Sequence, residues 1–445
     1  MIRVLLLLLP ALLLQGCASS SLFMPYPSQA ESWRSSLSAG TASGLATPLA
    51  SKAAGKDNLL YLQEMGRLEQ LAGNHDASLN AFSQAIADYE AGEADARIQA
   101  SGLAAGTASL LTNDNALPYP GYPYERIFVH AYQAFNYLAQ GNREGAQVEL
   151  RRAALEQRQA ELENEKRIAK AEEEAQQKNV DLSSYDGYFQ GLNTAAAGVR
   201  SAVNNAWTFY LSGVIWEASG DFNAALVDYK NALQVVPDSD LLIGAVERAS
   251  ARLNRRWNPQ QGLVVILHEE GLVPPRRELS IPIPTVHGYF SVAFPTYQAT
   301  DLVPPQPLQV RGGDSASSRT EVLARVNAMA ARTLKDRIPG MLVRQTLRAA
   351  TKYEAQKQAN ENLGLLGAIT TQVYNLVSER ADLRSWLSLP AYGMAAEIML
   401  PAGEQTIVLS APGASASVTV PVRPGGITLV RAVHVGNLLR TEVYP

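Results

Sequence analysis

Three stretches of the chain repeat one arrangement of small and bulky side chains, and this repetition constrains the fold more than any other feature. Residues 59–90, LLYLQEMGRLEQLAGNHDASLNAFSQAIADYE, carry Gly66, Gly73, Ala77, Phe82 and Ala85. Residues 128–153, FVHAYQAFNYLAQGNREGAQVELRRA, carry Tyr137, Gly141, Ala146 and Ala153. Residues 209–237, FYLSGVIWEASGDFNAALVDYKNALQVVP, carry Gly213, Trp216, Gly220, Ala225, Tyr229, Ala232 and Pro237. Each reads as two helices joined at "AGN", "QGN" or "SGD", where glycine accepts the left-handed backbone that ends a helix. Small residues let the two helices cross closely, large ones fill the space beside them, and Pro237 stops the last helix.

These stretches resemble tetratricopeptide repeats, helical hairpins that stack because each cannot bury its apolar face alone. The resemblance implies a concave surface lined by first helices, with Phe128, Phe135, Trp207 and Tyr210 as a candidate partner groove. The alternative is that these aromatics belong to the core or are covered by another part of the chain. Between the repeats, "LPYPGYPYER" is too rich in proline for a helix and reads as a loop. Its tyrosines either rim a groove or pin the loop to the body. The segment from 149 to 179 reads as a long polar helix that packs only near its start. Its apolar Val148, Leu155 and Leu162 recur every seven residues beside charged seam positions.

Beyond Trp257 the pattern changes to short β-branched or aromatic runs bounded by Gly and Pro. "GLVVILHE", "ELSIPIP", "YFSVAFP" and the region from Ala395 to Val435 read as strands. Residues 319–383 return to a helical pattern, and Pro390 in "ADLRSWLSLP" reads as a helix stop. The predicted fold is therefore α+β: a tetratricopeptide-like helical domain over 58–257, followed over 258–445 by a β-sandwich-like domain with a helical insertion at about 319–383. Residues 311–357 hold ten basic and four acidic side chains, a net +6 in a chain whose overall charge is −4. Arg325, Arg332, Arg344, Arg348 and Lys352 form a candidate basic contact face for lipid headgroups, wall polymer or an acidic partner; a solvated helix face is the plainer reading. Residues 361–378, nearly uncharged, read as a buried helix or as one that meets lipid or a second copy.

The chain keeps one cysteine, Cys17, directly behind the apolar run Val4–Leu14. That run is too short to span a bilayer, which takes about 20 apolar residues, and has the layout of a secretory signal. Leu14-Gln15-Gly16-Cys17 resembles the lipobox of bacterial lipoproteins. The resemblance implies a signal peptide over 1–16, acylation of Cys17, and, because Ala18 is not Asp, an outer-membrane location facing the periplasm. Residues 17–57, rich in Ser, Ala and Gly, read as the lipidated cysteine and a flexible tether, part of which lies against the folded body because Phe23, Tyr26 and Trp33 argue against complete disorder.

Signs of catalysis are sparse. The five histidines are scattered singly, "HEEGL" at His268 lacks the second histidine of a zinc-protease helix, and no Gly-x-Ser-x-Gly turn occurs. The expectation is no catalytic residue, no metal, no cofactor, no small-molecule substrate and no nucleic acid. "YERIFVHAYQAFNYLAQGNREGAQVELRRA", "GLVVILHEEGLVPPRR" and "ERADLRSWLSLP" together resemble an uncharacterised family of proteobacterial repeat-containing lipoproteins. That resemblance brings no established activity and implies envelope or peptidoglycan work; with the helical half binding an envelope protein partner, the expected role is a scaffold or adaptor in cell-envelope biogenesis. An oligomeric export component and an envelope-polymer hydrolase are the alternatives.

Overall fold

The computed structural model describes residues 24–101, 115, 117–254, 260–285, 288–313, 316–349 and 380–444. It is an α+β molecule whose helices come mainly from the N-terminal half and whose strands come from the C-terminal half. The helices are α1 (Tyr26–Ser38), α2 (Asn58–Ala72), α3 (His75–Ser101), α4 (Pro123–Ala139), α5 (Arg143–Gln177), α6 (Gln190–Ala196), α7 (Ala206–Ala218), α8 (Phe222–Val235), α9 (Asp240–Leu253), α10 (Val326–Lys335) and α11 (338–349). The strands are β1 (Gln261–Glu270), β2 (Arg277–Thr285), β3 (Gly288–Thr296), β4 (Gln309–Gly312), β5 (Ala316–Arg319), β6 (Glu321–Arg325), β7 (Tyr392–Pro401), β8 (Gly403–Ala411), β9 (Ala414–Val422), β10 (Ile427–Val435) and β11 (Leu438–Tyr444).

The helical hairpins α2/α3, α4/α5 and α7/α8 coincide with the three repeated stretches. Gly73, Gly141 and Gly220 turn each hairpin with φ of 88°, 71° and 84°. Asn142 and Asp221 then cap the second helices by accepting from the amides of Gly145 and Ala224. Crossing distances explain the small residues. A methyl group on Gly66 would sit 2.7 Å from the Phe82 ring, and one on Gly213 would sit 2.5 Å from Tyr229. Both pairs lie sixteen residues apart in sequence.

A five-stranded sheet has the order β11-β10-β1-β7-β6, with β1 and β10 parallel and the other neighbours antiparallel. Its central strands are buried along almost their whole length, as expected of strands covered on both faces. One face packs against a four-stranded sheet, β5-β4-β8-β9, through Val264, Ile266, Ile398 and Val430 meeting Val310, Ile407, Leu409 and Val420. The other face carries Val265, Leu267 and Leu429 into the core of the helical hairpins. A single apolar core thus runs across the 257/258 boundary.

Several expectations are corrected. Residues 24–57 are less of a tether than expected: the part that lies against the body includes all of α1, which buries Tyr26, Ala30, Trp33 and Leu37, one helical face. Helix α5 packs near its start and again at Ala171 and Ala175, with Asn164 donating to Asp336 at 2.8 Å. Val148, Leu155 and Leu162 lie on its exposed side. The helical insertion begins at Val326, not at 319, because β5 and β6 occupy 316–325. Residues 381–391 are not the end of a helix but an irregular, largely buried strap. In this extended backbone Asp382 and Arg384 share a side and pair at 2.8 Å. Cys17, Lys352 and residues 361–378 lie outside the described residues.

Candidate functional site

The expected aromatic groove is closed by the protein's own sheet. The first helices of the three hairpins, α2, α4 and α7, lie on the five-stranded sheet, and Phe128, Phe135, Trp207 and Tyr210 have no accessible surface. Trp207 stacks on Phe128 and donates its indole N–H to the Met394 carbonyl at 3.1 Å. Its ring lies on Gly393, where a methyl group would come within 2.7 Å of Cγ. Phe135 meets Tyr444, and the Tyr210 hydroxyl donates to Glu397 at 2.6 Å. These four residues are core, and the groove expectation fails because a neighbouring element covers them.

Ionic groups fix the same interface. Glu269 of β1 accepts from Arg67 of α2 at 2.7 Å, from Tyr132 of α4 at 2.9 Å and from Arg431 of β10 at 2.7 Å. Burial opposes its charge, but the Arg431 and Arg67 guanidinium groups hold Glu269 below the usual carboxylate range. A second cluster joins Arg248 of α9 to Glu217 of α7 and Glu397 of β7.

The buried strap is held by two helix carboxylates. Glu64 accepts from the Leu387 amide at 2.7 Å, the Ser388 amide at 3.1 Å and the Tyr26 hydroxyl at 2.8 Å. Glu125 accepts from the Trp386 amide at 3.1 Å and from Tyr119 at 2.8 Å. Burial raises Glu64 to about 7 even against these donors. Glu125 is raised for the same reason. Perturbed carboxylates often mark catalytic sites, but these are fully buried, and their oxygens already bind the strap.

The candidate basic face does not form one surface. Arg325 and Arg344 are exposed, Arg332 pairs with Asp336 at 2.8 Å, and Arg348 is buried beside Gln345. Arg332 thus pairs four residues along its own segment and, among the described residues, not with the acidic repeat half.

An open cleft of about 690 Å³ lies elsewhere among the described residues. Its walls are the start of α2, the stretch Asp88–Glu93 of α3, the proline-rich loop at 118–123, and α5 from Glu156 to Arg167. The loop tyrosines are pinned. Tyr119 and Tyr124 donate to Glu125, and Tyr122 lies between Arg276 and Arg337, each 4.6 Å from its ring. Arg126 binds Glu93 and Glu156 on the cleft wall. Arg126, Arg167 and Arg337 each bury an Nε–H that has no acceptor. Burial and the nearby Arg337 lower Arg167 to about 10. The same walls carry Asp88, Glu93, Glu156 and Glu163, so the cleft presents both signs of charge.

One further group escaped sequence reasoning. His268, Glu270 and His434 bring a donor atom each within 4.8 Å of one another. They are the one such group of three among the described residues. Compared with family models, curated proteins and solved structures, the chain matches none.

Proposed function

We propose that this chain is an envelope lipoprotein, acylated at Cys17 and held at the outer membrane facing the periplasm, that acts as a scaffold by binding a protein partner. In this reading the hairpins are tetratricopeptide-like repeats and the two stacked sheets are a sandwich-like unit that fills the repeats' concave face. The partner site is the cleft beside the proline-rich loop, and its ligand is a polypeptide segment that meets a wall of mixed charge, with Arg126, Arg167, Glu156 and Glu163 on it.

One observation carries the proposal: the cleft and the entry of the chain into the folded body lie at the same end of the molecule. Helix α1 starts nine residues after Cys17, a distance of about 30 Å at full extension. Pro25 and Tyr26 lie beside Asn115 and Arg384. Arg384 in turn binds Asp57 and the Leu117 carbonyl, next to the cleft residues Asn58 and Pro118. An anchor at Cys17 would therefore hold the cleft close to the membrane, where another envelope protein meets it. The reading is non-enzymatic because the buried carboxylates are occupied by the strap.

Mass spectrometry of the mature protein should find acyl chains on residue 17, and Cys17→Ser should release the protein from membranes. A photocrosslinker at Gln159 or Glu163, on the cleft rim, should capture an envelope protein in living cells, whereas one at Val408, on the exposed face of β8, should not. An unmodified cysteine, or the same adducts from all three positions, would refute the proposal.

A further inference from the structure

We infer that His268, Glu270 and His434 form a binding site for a divalent transition-metal ion, with zinc as the best match. The site follows from strand geometry. In β1, His268 and Glu270 are two residues apart and point to the same side, and β10 runs parallel beside it with His434 in register with Glu270. Three donors from two neighbouring, fully covered strands therefore converge at the end of the core between the two sheets. Both imidazoles reach the same carboxylate oxygen: His434 Nδ1 lies 2.7 Å and His268 Nε2 lies 3.2 Å from Glu270 Oε2.

Two details favour an ion over a set of ordinary hydrogen bonds. His268 is completely buried, yet its Nε2 makes no hydrogen bond despite its closeness to Oε2. Nε2 of His434 is also buried and lacks a partner. His268 Nε2 facing a carboxylate oxygen without an aligned proton suits a cation, which would replace the 2.7 Å hydrogen bond between His434 Nδ1 and Glu270. The spacing fits as well. Bonds of about 2.0–2.1 Å in tetrahedral geometry put donors about 3.4 Å apart. The two separations to Glu270, 2.7 Å and 3.2 Å, lie within about 0.7 Å of that value, and all three donors lie within 4.8 Å of one another.

The surroundings complete the arrangement. His268 Nδ1 lies 3.2 Å from Thr320 Oγ1, which also accepts from the Leu308 amide at 2.9 Å. With Nδ1–H donating to Thr320, the ring would turn its Nε2 lone pair toward Glu270, the orientation a metal requires. Two histidines and one carboxylate leave a fourth position for water. The Glu270 side chain keeps about a tenth of its surface exposed, which provides a route in. Two imidazoles and a carboxylate suit zinc, cobalt or ferrous iron better than calcium or magnesium. A bound ion would tie β1 to β10 at their carboxyl ends.

The test uses the full mature chain, stripped with chelator and titrated with Co²⁺ and Zn²⁺. One equivalent of Co²⁺ should give visible absorption typical of a four-coordinate ion, Zn²⁺ should displace it, and Zn²⁺ should raise the thermal midpoint. His434→Gln and Glu270→Gln should each weaken Co²⁺ binding at least tenfold. Thr320→Val should weaken it about tenfold through loss of ring orientation, and His75→Gln should leave it unchanged. Should a ligand variant fail to fold, the wild-type titration decides. Absence of a Co²⁺ spectrum together with an unmoved midpoint in Zn²⁺ overturns the assignment. So does unchanged binding in folded His434→Gln or Glu270→Gln protein.

Discussion

If Trp207 is a core residue lying on Gly393, the two positions must be energetically coupled, and a double-mutant cycle measures this directly. Trp207→Ala removes an indole with no accessible surface and its bond to the Met394 carbonyl. The cavity costs about 3–5 kcal/mol and the lost hydrogen bond adds about 1 kcal/mol. A domain stable by about 5–15 kcal/mol would lose a large share of its margin. Gly393→Ala alone puts a methyl group 2.7 Å from Cγ of the indole and 3.0 Å from Cβ and Cδ1, so ring or strand must shift. Such overpacking costs about 1–3 kcal/mol. In the Trp207→Ala background the same methyl enters an empty space. Alanine also loses less backbone entropy than glycine in a strand, so the second substitution should be neutral or stabilising by about 0.5–1 kcal/mol. The two effects should therefore be non-additive by about 1.5–4 kcal/mol. Guanidinium denaturation of the detergent-solubilised mature protein, followed by far-ultraviolet circular dichroism, gives all four corners of the cycle. Additivity within about 0.5 kcal/mol would show that the indole does not rest on the strand. A Trp207→Ala protein of undiminished stability that has lost its partner would restore the open groove.

Glu269→Gln should cost about 3–5 kcal/mol, because it leaves the Arg67 guanidinium buried without its carboxylate and Arg431 with only Glu442, at 3.5 Å. A loss below about 1 kcal/mol in the same denaturation assay would mean that water reaches them. Burial raises Glu64 from 4.5 to about 7, so the folded state holds that proton more tightly than the unfolded chain between those values. Its contribution to stability is unimpaired below about pH 4.5 and diminishes as pH rises to about 7, by about 3 kcal/mol in all. Subtracting the stability profile of Glu64→Gln, which cannot ionise, isolates this slope, and a flat difference would place the carboxyl in a solvated setting. Gly213→Ala should destabilise by about 1–3 kcal/mol, since its methyl would press within 2.5 Å of Tyr229, and thermal unfolding checks it.

Sequence and structure agree where the cause is local. The hairpins were legible because glycine at each turn and the Gly66/Phe82 and Gly213/Tyr229 contacts depend on residues near one another in the chain. The long strands were legible from β-branched runs between turns. Helix α1 was masked by a Ser- and Ala-rich composition, although Tyr26, Ala30, Trp33 and Leu37 recur at helical spacing. The short strands β4, β5 and β6 have four or five residues each, too few for alternation to register. For the histidine cluster the local half was visible: His268 and Glu270 alternate within a strand and must share a face. Its third member depends on β1 pairing in parallel with β10, and no local pattern specifies that pairing.

The fate of the aromatic groove shows the same limit from another side. An apolar helix face looks identical in sequence whether a partner covers it or a later segment of the same chain does. Here the decisive residues are charged. Apolar packing is non-directional and would tolerate a helix sliding along the sheet. Arg67 reaching Glu269 from α2, and Arg248 joining Glu217 to Glu397 from α9 to β7, are satisfied in only one placement. A different placement would leave a buried charge unpaired, at a cost of several kcal/mol. The face formed by α2, α4 and α7 is thereby committed to the sheet. Under the proposed scaffold role, the surface left for a partner is the cleft beside the proline-rich loop.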